Sequence, residues 1–237
     1  CALPIWLLEV DLSAYLPYMH ELDKLEHIEL VLDHINPFAQ SPLTAPANLT
    51  AVGSSLYFTA RTSLTGVELW KTDGTVLGTS LVRNIAPDQA YIYGGTIAGN
   101  ANPQELTPFG GSLYFTANDV NAAFTGQAES REIWRSDGTT NGTVKVTGFG
   151  PGALVKDLTV VGSTLFFTAS TLGLGRELYM LDLSNPEAGS VLVKDILVGT
   201  GLGSNPADLT AVGPLLYFTA YFTANDGGID RELWKSD

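Results

Sequence analysis

The chain alternates between short apolar runs and polar, turn-forming stretches, and the runs recur. Leu-Tyr-Phe-Thr-Ala stands at 56–60, 113–117 and 216–220, and Leu-Phe-Phe-Thr-Ala at 165–169. A second phrase follows each run: Glu-Leu-Trp-Lys-Thr-Asp-Gly-Thr at 68–75, Arg-Glu-Ile-Trp-Arg-Ser-Asp-Gly-Thr at 131–139, Arg-Glu-Leu-Tyr at 176–179 and Arg-Glu-Leu-Trp-Lys-Ser-Asp at 231–237. A Leu-Thr pair leads each unit, its leucines (Leu49, Leu106, Leu158, Leu209) 57, 52 and 51 residues apart. A run of the type Leu-Val-Lys-Asp-Ile trails at 81–85 and 192–196.

Each unit predicts four short strands. In the first unit these are 49–53, closed by a tight turn at Gly53-Ser54; 56–60; 67–72, ended by the turn signal Asp73-Gly74; and 80–85. The second strand is apolar at nearly every position, so both of its faces should be buried. A lone antiparallel meander would alternate apolar and polar instead. Four antiparallel strands in tandem units of about 50 residues, with middle strands buried on both faces, predict an all-β array of β-propeller blades. The blades are expected at about 48–86, 104–147, 154–197 and 207–237, the last incomplete. That is about 3.5 blades and an open arc, since propellers close with about four to eight. Leucine-rich and hexapeptide solenoids have the wrong period, and an immunoglobulin-like array needs about 100 residues per domain.

Residues 1–40 share nothing with the repeats. They carry one basic residue, Lys24, against seven acidic ones. Over 18–35 the apolar positions Tyr18, Leu22, Leu25, Ile28, Leu32 and Ile35 fall on one helical stripe, with Pro17 at the start and Pro37 past the end. A short N-terminal helix is expected there. His20, His27 and His34 lie on its polar face, and seven residues of helix rise about 10 Å, too far for two of them to share a metal ion. Residues 41–47 read as a linker.

Composition narrows the function. Net charge is −13, which leaves no basic stripe for a phosphate backbone and argues against nucleic acid. No apolar run reaches the about 18 residues of a membrane span. Cys1 is the single cysteine, so no disulfide forms within the chain. The chain starts on Cys and stops where Gly-Thr would continue the repeat phrase, the expectation for a fragment of a longer protein.

The combined phrase Glu-Leu-Trp-x-Ser/Thr-Asp-Gly-Thr-x-x-Gly-Thr, then Leu-Val-Lys-Asp-Ile, then Leu-Thr and Leu-Tyr-Phe-Thr-Ala, resembles the ELWxxDGT repeat over about residues 48–237. That hyalin-like repeat family occurs in large exported or surface proteins of bacteria. The resemblance implies an extracellular or cell-surface location and an adhesive or ligand-binding role. It supplies no catalytic residues. The third unit departs from the phrase, with Tyr179-Met180-Leu181-Asp182 in its place, and two connectors are expanded, at 87–102 and 118–130.

The repeat region has no His and no Cys, which excludes Ser-His-Asp and Cys-His catalysis and a His-ligated metal within the blades. Glu68, Glu132, Glu177 and Glu232 recur once per unit. Paired glutamates can serve glycoside hydrolysis, but a catalytic acid is needed once per site, so a residue in every blade is expected to fix blade geometry. Asp73, Asp137 and Asp237 sit in the Asp-Gly-Thr turn, where Asp caps its own backbone. The order of residues differs from the sialidase Asp-box. Trp70, Trp134 and Trp234 could stack on sugars, but their regular place argues for packing between blades. The aromatics of the irregular connectors, Tyr91, Tyr93 and Phe124, are the better ligand-binding candidates. The oxygen-rich loops with Asn118, Asp119 and Asn121, and with Asn225, Asp226 and Asp230, could hold Ca²⁺, although each offers only about three side-chain ligands of the six to eight that calcium takes. Ordinary Asx turns account for them better. Asn48-Leu-Thr and Asn141-Gly-Thr match the glycosylation sequon.

The expected function is therefore a non-catalytic propeller module that binds a carbohydrate or protein ligand outside the cell. The alternatives are part of a propeller-type polysaccharide hydrolase or lyase, and a structural spacer. An enzyme should show acidic, Arg or Tyr residues at irregular positions converging on one end of the ring.

Overall fold

The computed structural model describes residues 46–62, 65–86, 89–90, 96–97, 99–118, 130–171, 173–198, 201, 203–223 and 229–237. The expected helix at 18–35 and its three histidines lie outside these residues. The described chain is all-β, in successive antiparallel meanders.

The first blade comprises β1 (Ala47–Val52), β2 (Ser55–Thr62), β3 (Gly66–Thr72) and β4 (Ser80–Arg83), paired in that order. A two-stranded ribbon, β5 (Gln89–Ala90) and β6 (Thr96–Ile97), lies in the connector. The second blade is β7 (Gln104–Phe109), β8 (Ser112–Asn118), β9 (Arg131–Ser136) and β10 (Val144–Lys145). The third is β11 (Leu154–Val161), β12 (Thr164–Thr171), β13 (Gly175–Asp182) and β14 (Val191–Lys194). The fourth has three strands, β15 (Ala207–Val212), β16 (Leu215–Thr223) and β17 (Ile229–Ser236). The register repeats: Phe58 faces Trp70, Phe115 faces Trp134, Phe167 faces Tyr179 and Phe218 faces Trp234.

The blades pack face against face, and this is where the two-sided burial of the middle strands comes from. Tyr57, Leu69 and Val82 of the first blade meet Leu113, Phe115, Ala117 and Trp134 of the second in one core. Tyr114 and Ile133 of the second blade meet Leu165, Phe167 and Tyr179 of the third in the next core. Leu178 of the third meets Leu216, Phe218 and Ala220 of the fourth. Tyr179 replaces the tryptophan of the third blade, and Phe149 lies edge-on to it at 4.9 Å between ring centroids. Trp134 and Trp234 pack between blades, as their regular spacing predicts, whereas Trp70 is buried within its own blade against Phe58, Ala60, Leu56 and Leu81.

The first strands of successive blades lie side by side, β1 with β7, β7 with β11 and β11 with β15. They form the inner surface on which the blades converge. Connectors run tightly into them, since the Arg131 N–H donates to the Ala153 carbonyl (2.7 Å) and the Asn205 N–H to the Arg176 carbonyl (3.0 Å).

Candidate functional site

Each first strand carries a bulge at the residue before Leu-Thr. Asn48, Glu105, Asp157 and Asp208 hold φ of 57°, 54°, 63° and 59°, the left-handed region that side chains seldom enter. The strand register slips at each of these points. In the first, third and fourth blades the bulge turns a polar side chain onto the threonine of the second strand. Thr168 Oγ1 donates to Asp157 Oδ2 (2.7 Å), Thr219 Oγ1 to Asp208 Oδ2 (2.9 Å), and Asn48 Nδ2 to Thr59 Oγ1 (3.2 Å). An arginine from the start of the third strand joins them. Arg131, Arg176 and Arg231 donate to Thr116, Thr168 and Thr219 at 3.2, 2.8 and 2.6 Å.

Successive blades are tied at this same rim. Glu105 Oε2 accepts the Leu158 N–H (2.8 Å), and Asn48 Nδ2 donates to the Pro103 carbonyl (3.3 Å). Burial pulls Arg176 below its ordinary range, against the opposing pull of Asp157 and Glu105. Lys156 approaches Asp157 (3.9 Å) and Arg231 approaches Asp208 (3.6 Å). The rim thus alternates carboxylates and guanidiniums, Glu105, Asp157 and Asp208 with Arg131, Arg176 and Arg231. Sequence reasoning passed over this set. Its signal was the Asn, Glu or Asp before every Leu-Thr pair and the Arg before three of the four glutamates.

The recurring glutamates serve elsewhere. Glu68 is fully buried and accepts three backbone N–H groups, from Ile85 (3.1 Å), Ala86 (3.2 Å) and Ala101 (3.3 Å). Glu132 accepts the Thr147 hydroxyl (2.6 Å) and the Gly150 N–H (3.0 Å). Glu177 takes the N–H and the hydroxyl of Ser204 at 2.6 and 2.5 Å. Burial raises the Glu177 carboxyl above its ordinary range, and the Ser204 hydrogen bonds only partly offset this. Each carboxylate staples a third strand to the connector that leads to the next blade.

The Asp-Gly-Thr phrase is not a two-residue hairpin but a wider loop over 73–79. Asp73 Oδ1 accepts both the N–H (2.9 Å) and the hydroxyl (2.7 Å) of Thr75, and Asp137 accepts the same pair from Thr139 at 2.8 and 2.7 Å. These bonds hold both carboxyls below the ordinary range. Asp182 in the divergent third blade makes the same cap with Ser184. The second glycine of the phrase is required by contact, since a Cβ on Gly142 would lie 2.1 Å from Asp137 Oδ1.

Of the residues singled out from sequence, Tyr91, Tyr93, Phe124, Asp119, Asn121, Asn225 and Asp226 lie outside the described residues. Asn118 ends β8, buried, and its Oδ1 has no hydrogen-bond partner among the described residues. Asp230 is exposed on β17 in another blade. Among the described residues no three His, Cys, Asp or Glu side chains group as a metal site.

No family model matches the chain, and no curated protein matches it. Among solved structures it is similar to a puromycin hydrolase (14% identity, TM-score 0.42, 75% of this chain and 25% of that one). It is also similar to a thermostable family-43 glycoside hydrolase (12%, 0.37, 81% and 68%) and to the catalytic domain of the Coprinopsis cinerea GH62 alpha-L-arabinofuranosidase (14%, 0.32, 82% and 64%). The chain spans about a quarter of the length of the puromycin hydrolase.

Proposed function

We propose that the chain is a non-catalytic β-propeller repeat module of an exported or cell-surface bacterial protein, and that it binds a hydroxyl-rich ligand, a polysaccharide, at the inner-strand rim. One observation carries the non-catalytic half. The acidic groups that converge on the rim do so at the same place in the second, third and fourth blades, where the first carries Asn48, and each has a partner that fixes the fold. A hydrolase needs one acid and one base at unique positions. The rim's alternation of planar acceptors and donors suits ligand hydroxyl groups, with a few fixed polar groups setting orientation. Export and surface attachment are supported by the resemblance of the repeat phrase.

Affinity electrophoresis against a panel of soluble polysaccharides tests the reading. The protein should be retarded by at least one of them, the Asp157→Asn/Asp208→Asn variant should not, and no reducing ends should appear. Retardation by none would remove the ligand. The hydrolase alternative has one observation in its favour, the carboxylates of Glu105 and Asp157 in adjoining blades. Release of reducing ends, abolished in Glu105→Gln, would establish it instead. Antibodies to the protein should find it in the envelope or medium of its source bacterium; a wholly cytosolic signal would overturn the exported location.

A further inference from the structure

The face of the first blade that points away from the second is as well buried as a face inside the array, yet among the described residues its apolar cluster belongs to the first blade alone. Phe58, Ala60 and Trp70 hold the places of Phe115, Ala117 and Trp134, with Phe58 opposite Trp70 as Phe115 is opposite Trp134. Phe115, Ala117 and Trp134 pack on the preceding blade, against its Tyr57 and Leu69. Phe58, Ala60 and Trp70 gather only Leu56 and Leu81 of their own blade. Their exposure is nevertheless 0, 2 and 7%, against 0, 0 and 6% for the inner set. A face with no blade on it looks different. In the fourth blade Tyr217 stays partly exposed and Leu233 is largely exposed, whereas Tyr57 and Leu69, covered by the second blade, are buried.

The cover reaches the middle strands and stops short of the outer turn. In the second blade Thr140 of that turn donates to the Val82 carbonyl of the first (2.9 Å). The corresponding Val76 of the first blade and its neighbour Leu77 are 57% and 99% exposed. What lies on Phe58 and Trp70 therefore covers less than a blade would. The chain before β1 offers one apolar surface of that shape, the stripe Tyr18, Leu22, Leu25, Ile28, Leu32 and Ile35. A helix over 18–35 runs about 27 Å, and an eight-residue strand such as β2 about 26 Å. Residues 36–46 join the stripe to β1 and reach at most about 36–40 Å. So short a tether holds the stripe beside this face at high effective concentration.

We propose that segment 18–35 caps the first blade of its own chain, laying the stripe across Phe58, Ala60 and Trp70 as an amphipathic helix. Its opposite side, with His20, His27 and His34, faces water. Stacked repeats need such a terminal element, apolar inward and polar outward, because the end unit otherwise leaves its packing face bare. The cap takes the place of a preceding blade and bars another from stacking there. The inference is independent of the polysaccharide reading.

The test uses the 237-residue protein and hydroxyl-radical labelling of its tryptophans, read by mass spectrometry. In the parent, Trp70 should be labelled as slowly as Trp134. Leu25→Asp/Ile28→Asp should speed the labelling of Trp70 at least about tenfold, because two carboxylates set on apolar side chains drive the cap off, and should leave Trp134 unchanged. His27→Asp, the same charge on the polar side, should change neither. Fast labelling of Trp70 in the parent would overturn the proposal. So would a Trp70 rate indifferent to the stripe variant, which would assign the cover to another part of the chain. Should the stripe variant unfold and expose both tryptophans, a photoreactive benzophenone side chain placed at position 28 of the parent decides. It should cross-link to peptides within 55–72 of the same molecule. No cross-link, cross-links only to other segments, or cross-links only between two copies would overturn the cap.

Discussion

β9 and β17 are built from nearly the same words, Arg-Glu-Ile-Trp-Arg-Ser-Asp and Arg-Glu-Leu-Trp-Lys-Ser-Asp, and both lie antiparallel to a Leu-Tyr-Phe-Thr-Ala strand in one register. Yet Glu132 and Ile133 are buried, with 1% and 0% exposure, whereas Glu232 is exposed and Leu233 is 71% exposed. Local sequence and the pairing to the second strand are the same, but β9 also pairs with β10 and β11 while β17 pairs only with β16 among the described residues. The third strand thus takes its conformation from its own blade and its energetic weight from the next one. A glutamate that looks catalytic by its recurrence is an interlock whose value depends on what lies beside it.

The comparison is broken or upheld most strongly at the glutamate. Glu68→Ala leaves the N–H groups of Ile85, Ala86 and Ala101 buried without an acceptor. At about 1–3 kcal/mol for each orphaned donor, the loss is about 3 kcal/mol or more. For a chain of this size that lowers Tm by roughly 6 °C or more, at about 2–4 °C per kcal/mol. Glu232→Ala should stay within about 0.5 kcal/mol of the parent, as surface changes do. Thermal unfolding of the two variants decides it. Equal losses would mean that the staple is made within the blade rather than to the connector.

The aliphatic pair comes next. Ile133→Ala opens a cavity between the second and third blades and should cost about 2–5 kcal/mol. Leu233→Ala has no packed surroundings to lose and should change the denaturation midpoint very little. Urea titrations would show the contrast, and a large effect at Leu233 would mean that it is covered in solution.

A smaller effect is expected at the turn. Gly142→Ala pushes a methyl group into the Asp137 carboxyl and should cost about 1–3 kcal/mol, as overpacking does. The third blade shows the way out. The residue five after Asp182 is Glu187, and a 3₁₀ turn over Pro186–Ala188 carries the chain away from the aspartate. If Gly142→Ala unfolds at the parent's temperature, the Asp137 cap yields easily and the glycine is there for another reason.

What could be read from the sequence follows the same division. The strands were legible because burial on both faces leaves an apolar run such as 56–60 with no alternation, and the packing role of Trp134 because it recurs in step. The rim was not. A left-handed Glu105 contradicts the residue's own preference and goes with the bulge and with the next blade's Leu158 N–H that its carboxylate accepts. Nor does composition separate Glu132 from Glu232, since burial by a neighbour is not written in the strand itself. The Asp182 cap was hidden by the loss of the Asp-Gly-Thr spelling, although Ser184 supplies the same N–H and hydroxyl as Thr75 and Thr139.

The smallest effect is a pH dependence, and it compares the buried and exposed glutamates directly. Burial raises the Glu177 carboxyl above its unfolded range, outweighing the Ser204 hydrogen bonds. A carboxyl raised on folding contributes stability that is fullest below its unfolded pKa, about 4.3, and that is lost as pH climbs through the folded value. Glu177→Gln cannot ionise, and its amide oxygen can still accept the Ser204 N–H while the NH₂ group meets the Ser204 oxygen. The Tm of the variant relative to the parent should therefore rise from acid to neutral pH. Glu232→Gln, on an exposed strand, should show no such trend. Parallel slopes for the two variants would mean that Glu177 is as well solvated as Glu232, and the interlock between the third and fourth blades would then be open to water.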